Sequence, residues 1–292
     1  MFDQAPIQRP ITERALAFKS ADGAQLVGRV FKPHGRCFAA VVLNSATGVP
    51  QRYYAHFARW LAAERGMACL TYDYRGTGRS ACGPTRRSRA DMIDWGTSDQ
   101  IAARHALRRA VPDVPLWIIG HSLGAMLLPN QRDFEGVARV IGVASGMVHH
   151  SDHPWPYRAL ALNLWFGIGP LATALCGYLP GKALRFGEDL PAAAFWQWRK
   201  WCTTRDFYAA DIGPRLPAPA WPSDIPVRLH AFTDDDLIPP HCVARLAQAF
   251  GPTAEQVTIA PADHGLTRIG HLAAFSRRNR ALWPLLLEGS RT

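Results

Sequence analysis

The decamer WIIGHSLGAM, from Trp117 to Met126, places a serine between two glycines at the junction of two unlike stretches. Before Ser122, "PLWIIGH" is short, apolar and β-branched, the composition of a strand buried on both faces of a sheet. After it, "LGAMLLPNQRDF" opens on helix formers and predicts a helix. A sharp turn from strand to helix leaves no room for a Cβ two residues either side of its apex, and Gly120 and Gly124 stand there. Such a turn holds the hydroxyl out beyond the strand, at a helix N-terminus whose partial positive charge favours a developing anion. Ser122 is therefore a candidate nucleophile, if the chain also supplies a base, an acid and donors for an oxyanion.

Reading outward, strands and helices alternate. "ALAFKSADGAQLVGRVFKP" alternates around Asp22-Gly23, the pattern of a β-hairpin. "FAAVVLN" and "MACLTYDYR" read as buried strands, with the helix "YYAHFARWLAAERG" between them and a glycine stop at its end. A helix over "SDQIAARHALRRAV" leads to the strand before Ser122, and "RVIGVASG" follows as another strand. After an interruption, "VRLHAFTD", "PHCVARLAQAFG", "VTIAPAD" and "HLAAFSRRNRALWPLLL" repeat the rhythm strand, helix, strand, helix. This alternation defines an α/β fold with a mostly parallel sheet covered by helices on both faces.

The interruption, residues 149–222, holds six of the ten tryptophans (155, 165, 196, 198, 201 and 221). Inserted after a central strand, it lies over the carboxyl ends of the strands, where open α/β sheets bind ligands. We read residues 1–148 and 223–292 as the core and 149–222 as an aromatic-rich helical lid over an apolar pocket. Within it, Ala159 to Pro180 carries no charge and is long enough for a bilayer. Asn163, Gly167, Gly169 and Pro170 interrupt it, so two short apolar helices joined at "GIGP" are expected, with no integral membrane insertion.

Composition narrows the function classes. At 48% hydrophobic and 19% charged residues, the chain has an ordinary globular balance. The net charge of +10 is carried almost entirely by arginine, only Lys19, Lys32, Lys182 and Lys200 being lysines. The basic residues are scattered rather than clustered, and the densest run, "TRRSRAD", ends in an acid, which argues against a nucleic-acid partner. The six cysteines form no CxxC pair and sit mostly in apolar runs, as reduced thiols do. With a polar, proline-containing start, "MFDQAPIQRPITER", that points to a cytoplasmic protein. "GTGRSA", from Gly76 to Ala81, imitates a dinucleotide fingerprint, but "CGPTRRSRAD" after it does not start a helix, so a structural turn is expected. The cluster "HHSDH" around Asp152 is read as unliganded, and no cofactor or metal is expected.

"DYRGTGRS" before the serine, "GHSLG" at it, and an acid and then a histidine after it resemble the α/β-hydrolase superfamily. "SATGVPQRYYAHFARWLAAERG" and "RIGHLAAF" are similar, more narrowly, to bacterial serine hydrolases of the serine aminopeptidase-like group. The resemblance spans nearly the whole chain and implies a serine hydrolase. It implies Asp235 as the acid, since Leu237, Ile238 and Pro239 follow it in the pattern of such enzymes; Asp234 and Asp236 are its neighbours and Asp152 an alternative. Three adjacent carboxylates repel if all are buried, so most of them must face water or backbone donors. Two histidines compete for the base. Position right after the last strand favours His264, whereas the resemblance favours His271; we take His271. His121, beside the serine, is read as structural. The oxyanion donors are the N–H of Leu123 and, from the loop after "FAAVVLN", Thr47 with Ala46 next to it; the usual His-Gly pair of that loop is Ser45-Ala46 here.

These readings predict hydrolysis of a small-molecule ester or thioester with an apolar acyl part, through an acyl-enzyme on Ser122. An aminopeptidase, with Glu188 or Asp189 holding the substrate's amino group, is the second reading. A catalytically silent binding protein of the same fold is the third.

Overall fold

The computed structural model describes residues 9–288, so the first eight residues of the polar N-terminal stretch lie outside it. The hairpin forms as the alternation predicts: β1 (Ile11–Lys19) and β2 (Gln25–Pro33) pair antiparallel around Gly23, which takes φ +87° in the turn. Next come β3 (Ala39–Asn44), buried at every residue, α1 (Ala55–Arg65) and β4 (Met67–Asp73). Gly66 closes α1 in the left-handed conformation, the C-terminal cap that glycine adopts at least cost. Short α2 (Met92–Asp94) runs through a π-helical turn into α3 (Gln100–Ala110), and β5 (Leu116–His121) follows. After Ser122 come α4 (Leu123–Met126) and β6 (Val137–Val143).

The sheet has eight strands in the order β1-β2-β4-β3-β5-β6-β9-β10. From β4 onward every neighbour pair is parallel; only β2 runs against the rest, with β1 antiparallel to it at the edge. β9 (Val227–Phe232), α8 (Pro240–Phe250) and β10 (Ala254–Ile259) complete the parallel part. Two apolar cores lie on its opposite faces. One gathers Val42, Leu70, Ile118 and Val140 with residues of the excursion; the other gathers Val41, Cys69, Ile119 and Ile141 with α1 and the C-terminal turns. The period of two along each strand divides the sheet's side chains between these cores.

Between β6 and β9 the chain forms α5 (Tyr157–Leu162), a π-helical turn (Asn163–Ile168), α6 (Gly169–Cys176), the small pair β7 (Tyr178–Leu179) and β8 (Leu190–Pro191), and α7 (Ala192–Thr203). Here the structure corrects the sequence. Tyr157–Cys176 is one continuous helical rod, not two helices joined at "GIGP". The i→i+5 turn accommodates Pro170, which has no N–H to give to the turn before it, and the Trp165 carbonyl accepts from Arg199 Nε instead. The rod is the one helix among the described residues long and apolar enough to cross a membrane, with 28% of that window buried.

Two other helices are shorter than predicted. α4 ends at Met126 because Pro129 lacks an N–H and biases Leu128 away from helix; a 3₁₀ turn, Leu128–Asn130, follows. The C-terminal segment is not one helix from His271 either. It breaks at Ser276, which is extended, and restarts as α9 (Trp283–Leu287) with Pro284 in its first turn.

Candidate active site

Ser122 sits at φ 53°, ψ −117°, between β5 and α4. Both flanking glycines are required by contact rather than by torsion. A Cβ on Gly120 would lie 2.4 Å from the carbonyl carbon of Gly124, and one on Gly124 would lie 2.2 Å from the backbone oxygen of Asn44. Ser122 N–H donates to Val143 O at 3.0 Å, and the Ser145 hydroxyl donates to Ser122 O, so both peptide groups of the apex are held. The side chain is left at the junction of two cavities, of about 430 and 360 Å³.

His271, from the loop after β10, lines the second cavity with Ser122. Its Nδ1 lies 2.9 Å from Oδ2 of Asp235. The other carboxylate oxygen accepts the backbone N–H groups of Leu237 and Ile238, each at 2.9 Å. Asp235 is buried, and those three donors stabilise its negative charge. With Nδ1–H donating to the carboxylate, Nε2 of His271 is left with a lone pair. The other two aspartates of the triplet differ in setting. Asp234 accepts Ile269 N–H at 2.9 Å, and Asp236 is exposed. His264 is exposed at the end of a 3₁₀ turn and lines neither cavity. Asp152 is likewise elsewhere: Arg245 holds both its oxygens, and His241 lies 3.5 Å away.

Thr47 lines both cavities. Ala46, its neighbour, already donates its N–H to the Tyr54 hydroxyl at 2.9 Å, so of the two only Thr47 has a backbone donor without a partner among the described residues. Leu123 begins α4, and N–H groups in a first helical turn have no intrahelical acceptor. Serine, imidazole, carboxylate and two such donors are the parts that acyl transfer needs.

One contributor was not legible in the sequence. The Tyr54 hydroxyl, at the start of α1, accepts from Ala46 N–H and donates to His121 Nδ1 at 2.8 Å; His121 Nε2–H then donates to the His271 carbonyl at 2.8 Å. This chain of bonds ties the Ala46-Thr47 loop, the residue before Ser122 and the loop of His271 to one another. It also fixes the tautomer of His121, whose pKa burial pushes down to about 3. The only sign in the sequence was "RYYAHF", where Tyr54 reads as one more apolar helix position.

The first cavity is apolar, with Met92, Met126, Val148, Trp165, Trp198 and Ile238 among its lining. His153 enters it too, its Nδ1–H donating to Asp236 O at 3.0 Å. Of the other tryptophans of the excursion, Trp201 and Trp221 pack in the core, while Trp155 and Trp196 are exposed. Glu188 is engaged by Arg52 and Lys182, each at 2.7 Å, and the Asp189 carboxylate accepts Lys182 N–H. The "GTGRSA" turn wraps a carboxylate of the chain itself. Asp73 accepts N–H groups of Gln51 and Arg79 and the Gln51 amide, and a Cβ on Gly78 would lie 2.5 Å from it.

Residues 34–277 match the family model described as the alpha/beta hydrolase family, and the chain belongs to that family. The fold is shared with solved structures at low identity. A hypothetical protein, PA2218, from Pseudomonas aeruginosa superposes with a TM-score of 0.63 at 15% identity, covering 98% of this chain and 97% of that one. The alpha/beta hydrolase GrgF from a Penicillium species gives 0.58 at 17%, covering 94% and 96%. The esterase Pf2001 from Pyrococcus furiosus gives 0.55 at 13%, covering 95% and 92%. No curated protein matches the chain.

Proposed function

We propose that the protein is a serine hydrolase that cleaves carboxylic esters or thioesters of apolar acids through an acyl-enzyme on Ser122. The observation that carries this reading is the His271–Asp235 pair facing the cavity that Ser122 lines, with an apolar cavity adjoining it at the serine. In this mechanism Nε2 of His271 takes the proton of Ser122 as Oγ attacks the acyl carbon. The N–H groups of Leu123 and Thr47 receive the oxyanion, and Asp235 stabilises the imidazolium without taking its proton. Collapse expels the alcohol or thiol, which leaves with the proton from His271. Water, activated by the same imidazole, then releases the acid.

The apolar cavity suits the acyl chain, and residues 149–222 act as its lid. Structural neighbours that are esterases fit the same chemistry. The aminopeptidase-like reading is weaker, because Glu188 is already neutralised by Arg52 and Lys182. All six cysteines are free thiols, which suits a reducing, cytoplasmic setting.

The test is labelling by a fluorophosphonate, with turnover of p-nitrophenyl esters of graded acyl length. The protein is expected to label and to prefer one chain length, and Ser122→Ala to lose both activities while remaining folded. A folded wild-type protein that neither labels nor turns over any ester would sink the proposal.

A further inference from the structure

We propose that the leaving group of the substrate carries phosphate, so that the enzyme acts on acyl esters or thioesters of a phosphorylated alcohol or thiol. This rests on the reading of Ser122 as the acyl-transfer nucleophile and names the substrate class of the same site. The imidazole that protonates the leaving group must stand beside it. Of the two cavities at Ser122 only the second is lined by His271, so the leaving group departs into that one and the acyl chain occupies the first.

Three exposed arginines reach the second cavity from separate parts of the chain: Arg268 from the loop after β10 and Arg278 from the 3₁₀ turns before α9 line it alone, and Arg185, from the turn before β8, lines both cavities where they meet. None makes an ion pair or a side-chain hydrogen bond among the described residues, although the carboxylates of Asp234 and Asp236 line the same cavity. Elsewhere in the fold, carboxylates collect guanidinium groups: Glu13 takes Arg29 and Arg59, Asp99 takes Arg75, and Asp152 takes Arg245. With Asp235 committed to His271 and to two backbone donors, Arg268 and Arg278 face Asp234 and Asp236 where the leaving group must sit, and Arg185 at the junction of the cavities adds a third cation. Arg185 also holds φ +55°, a left-handed conformation that costs a non-glycine residue energy. Convergent, unpaired guanidinium groups are the side chains that recognise phosphate.

The reaction balances as ordinary hydrolysis. Oγ of Ser122 bonds to the acyl carbon, the carbon–oxygen or carbon–sulfur bond breaks, and the proton passes through His271 to the departing oxygen or sulfur. Water cleaves the acyl-enzyme, and the phosphate itself is untouched.

Two matched pairs test this: octanoyl-coenzyme A against octanoyl-N-acetylcysteamine, and monooctanoyl glycerol phosphate against monooctanoyl glycerol. At low salt the phosphorylated member of at least one pair is expected to have kcat/KM about tenfold above its neutral partner, mainly through KM. The pair that shows it identifies whether a nucleotide thioester or a glycerophosphate ester is the source. The ratio should shrink with added salt and fall about five- to tenfold in Arg268→Gln and in Arg278→Gln. Arg109→Gln, which removes the same charge from the exposed end of α3, should keep the wild-type ratio. Circular dichroism melts establish that each variant is folded. Ratios near one in both pairs, with neutral substrates still turned over, overturn the proposal and leave the hydrolase reading standing. An absence of turnover on all four compounds, with no fluorophosphonate label, removes both.

Discussion

Replacing Asp235 by asparagine changes one atom and should disable the base. Oδ1 of Asp235 receives two backbone N–H groups, from Leu237 and Ile238, at 2.9 Å each. An asparagine must keep its carbonyl oxygen there, because the flipped amide would set its NH₂ against two donors. Its NH₂ then points at His271 Nδ1, 2.9 Å from the atom it replaces. That nitrogen must accept, so the ring proton moves to Nε2, where it blocks receipt of the serine proton. A wrong tautomer of this kind costs about 10⁴-fold in kcat, or about 5 kcal/mol of barrier. The two backbone bonds survive, so the thermal midpoint should stay within a few degrees of wild type. The assay is steady-state hydrolysis of the best p-nitrophenyl ester beside a thermal melt. Asp234→Asn and Asp236→Asn, which lack this geometry, serve as controls and should lose less than about tenfold. A folded Asp235→Asn protein within tenfold of wild type, or an equal loss in either control, would refute the reasoning.

Three further outcomes are expected. Gly124→Ala puts a methyl 2.2 Å from Asn44 O, a backbone atom that cannot swing away, and should cost about 3 kcal/mol in urea denaturation as well as activity. Tyr54→Phe strips the Ala46 N–H and His121 Nδ1 of their partner in a buried place; it should cost about 3 kcal/mol and lower kcat although Tyr54 lines neither cavity. Burial lowers the pKa values of His121 and His230 to about 3 and about 4, so both stay neutral in the fold while the unfolded chain protonates near pH 6.5. The unfolded state then binds more protons, and stability must fall as pH drops from about 6.5 towards 4, by about 1.4 kcal/mol per pH unit for each histidine. His230→Gln should remove about that much of the slope between pH 6 and 4.5 in urea titrations.

The fold was legible because strand identity here is local. "FAAVVLN", "MACLTYD" and "PLWIIG" are short β-branched runs that can be little else, and their spacing leaves room only for parallel crossovers. Ser122 was legible for a similar reason, since both glycines answer to a contact made within the turn or by the adjacent strand. Helix lengths were not. Apolar periodicity carried the last helix through Pro284 and the one after Ser122 through Pro129, where the backbone changes course. The reverse error came at "GIGP", where glycine and proline read as a break and a π turn carried the helix through. Tyr54 was hidden because its value lies in contacts with Ala46 and with His121, 67 positions away, which no local pattern records. Arg185, Arg268 and Arg278 were hidden in plain composition: in a chain so rich in arginine, only their place in the lining of one cavity distinguishes them.

The π-helical turn at Asn163–Ile168 gives the Tyr157–Cys176 rod an adjustable joint. An α-helix turns its side chains by about 100° per residue, and the wider turn sets the phase between α5 and α6. Ala161, Leu164 and Trp165 line the apolar cavity, whereas Leu171 and Leu175 face outward. Losing one residue from the turn would re-phase α6 against α5 and change which of the turn's own side chains, now Asn163, Leu164, Trp165 and Ile168, line the cavity. The loops that carry Ser122, Asp235 and His271 would keep their places in the sheet. A lineage of such proteins can thus reshape this cavity by single-residue insertion or deletion without altering the strand ends beneath it.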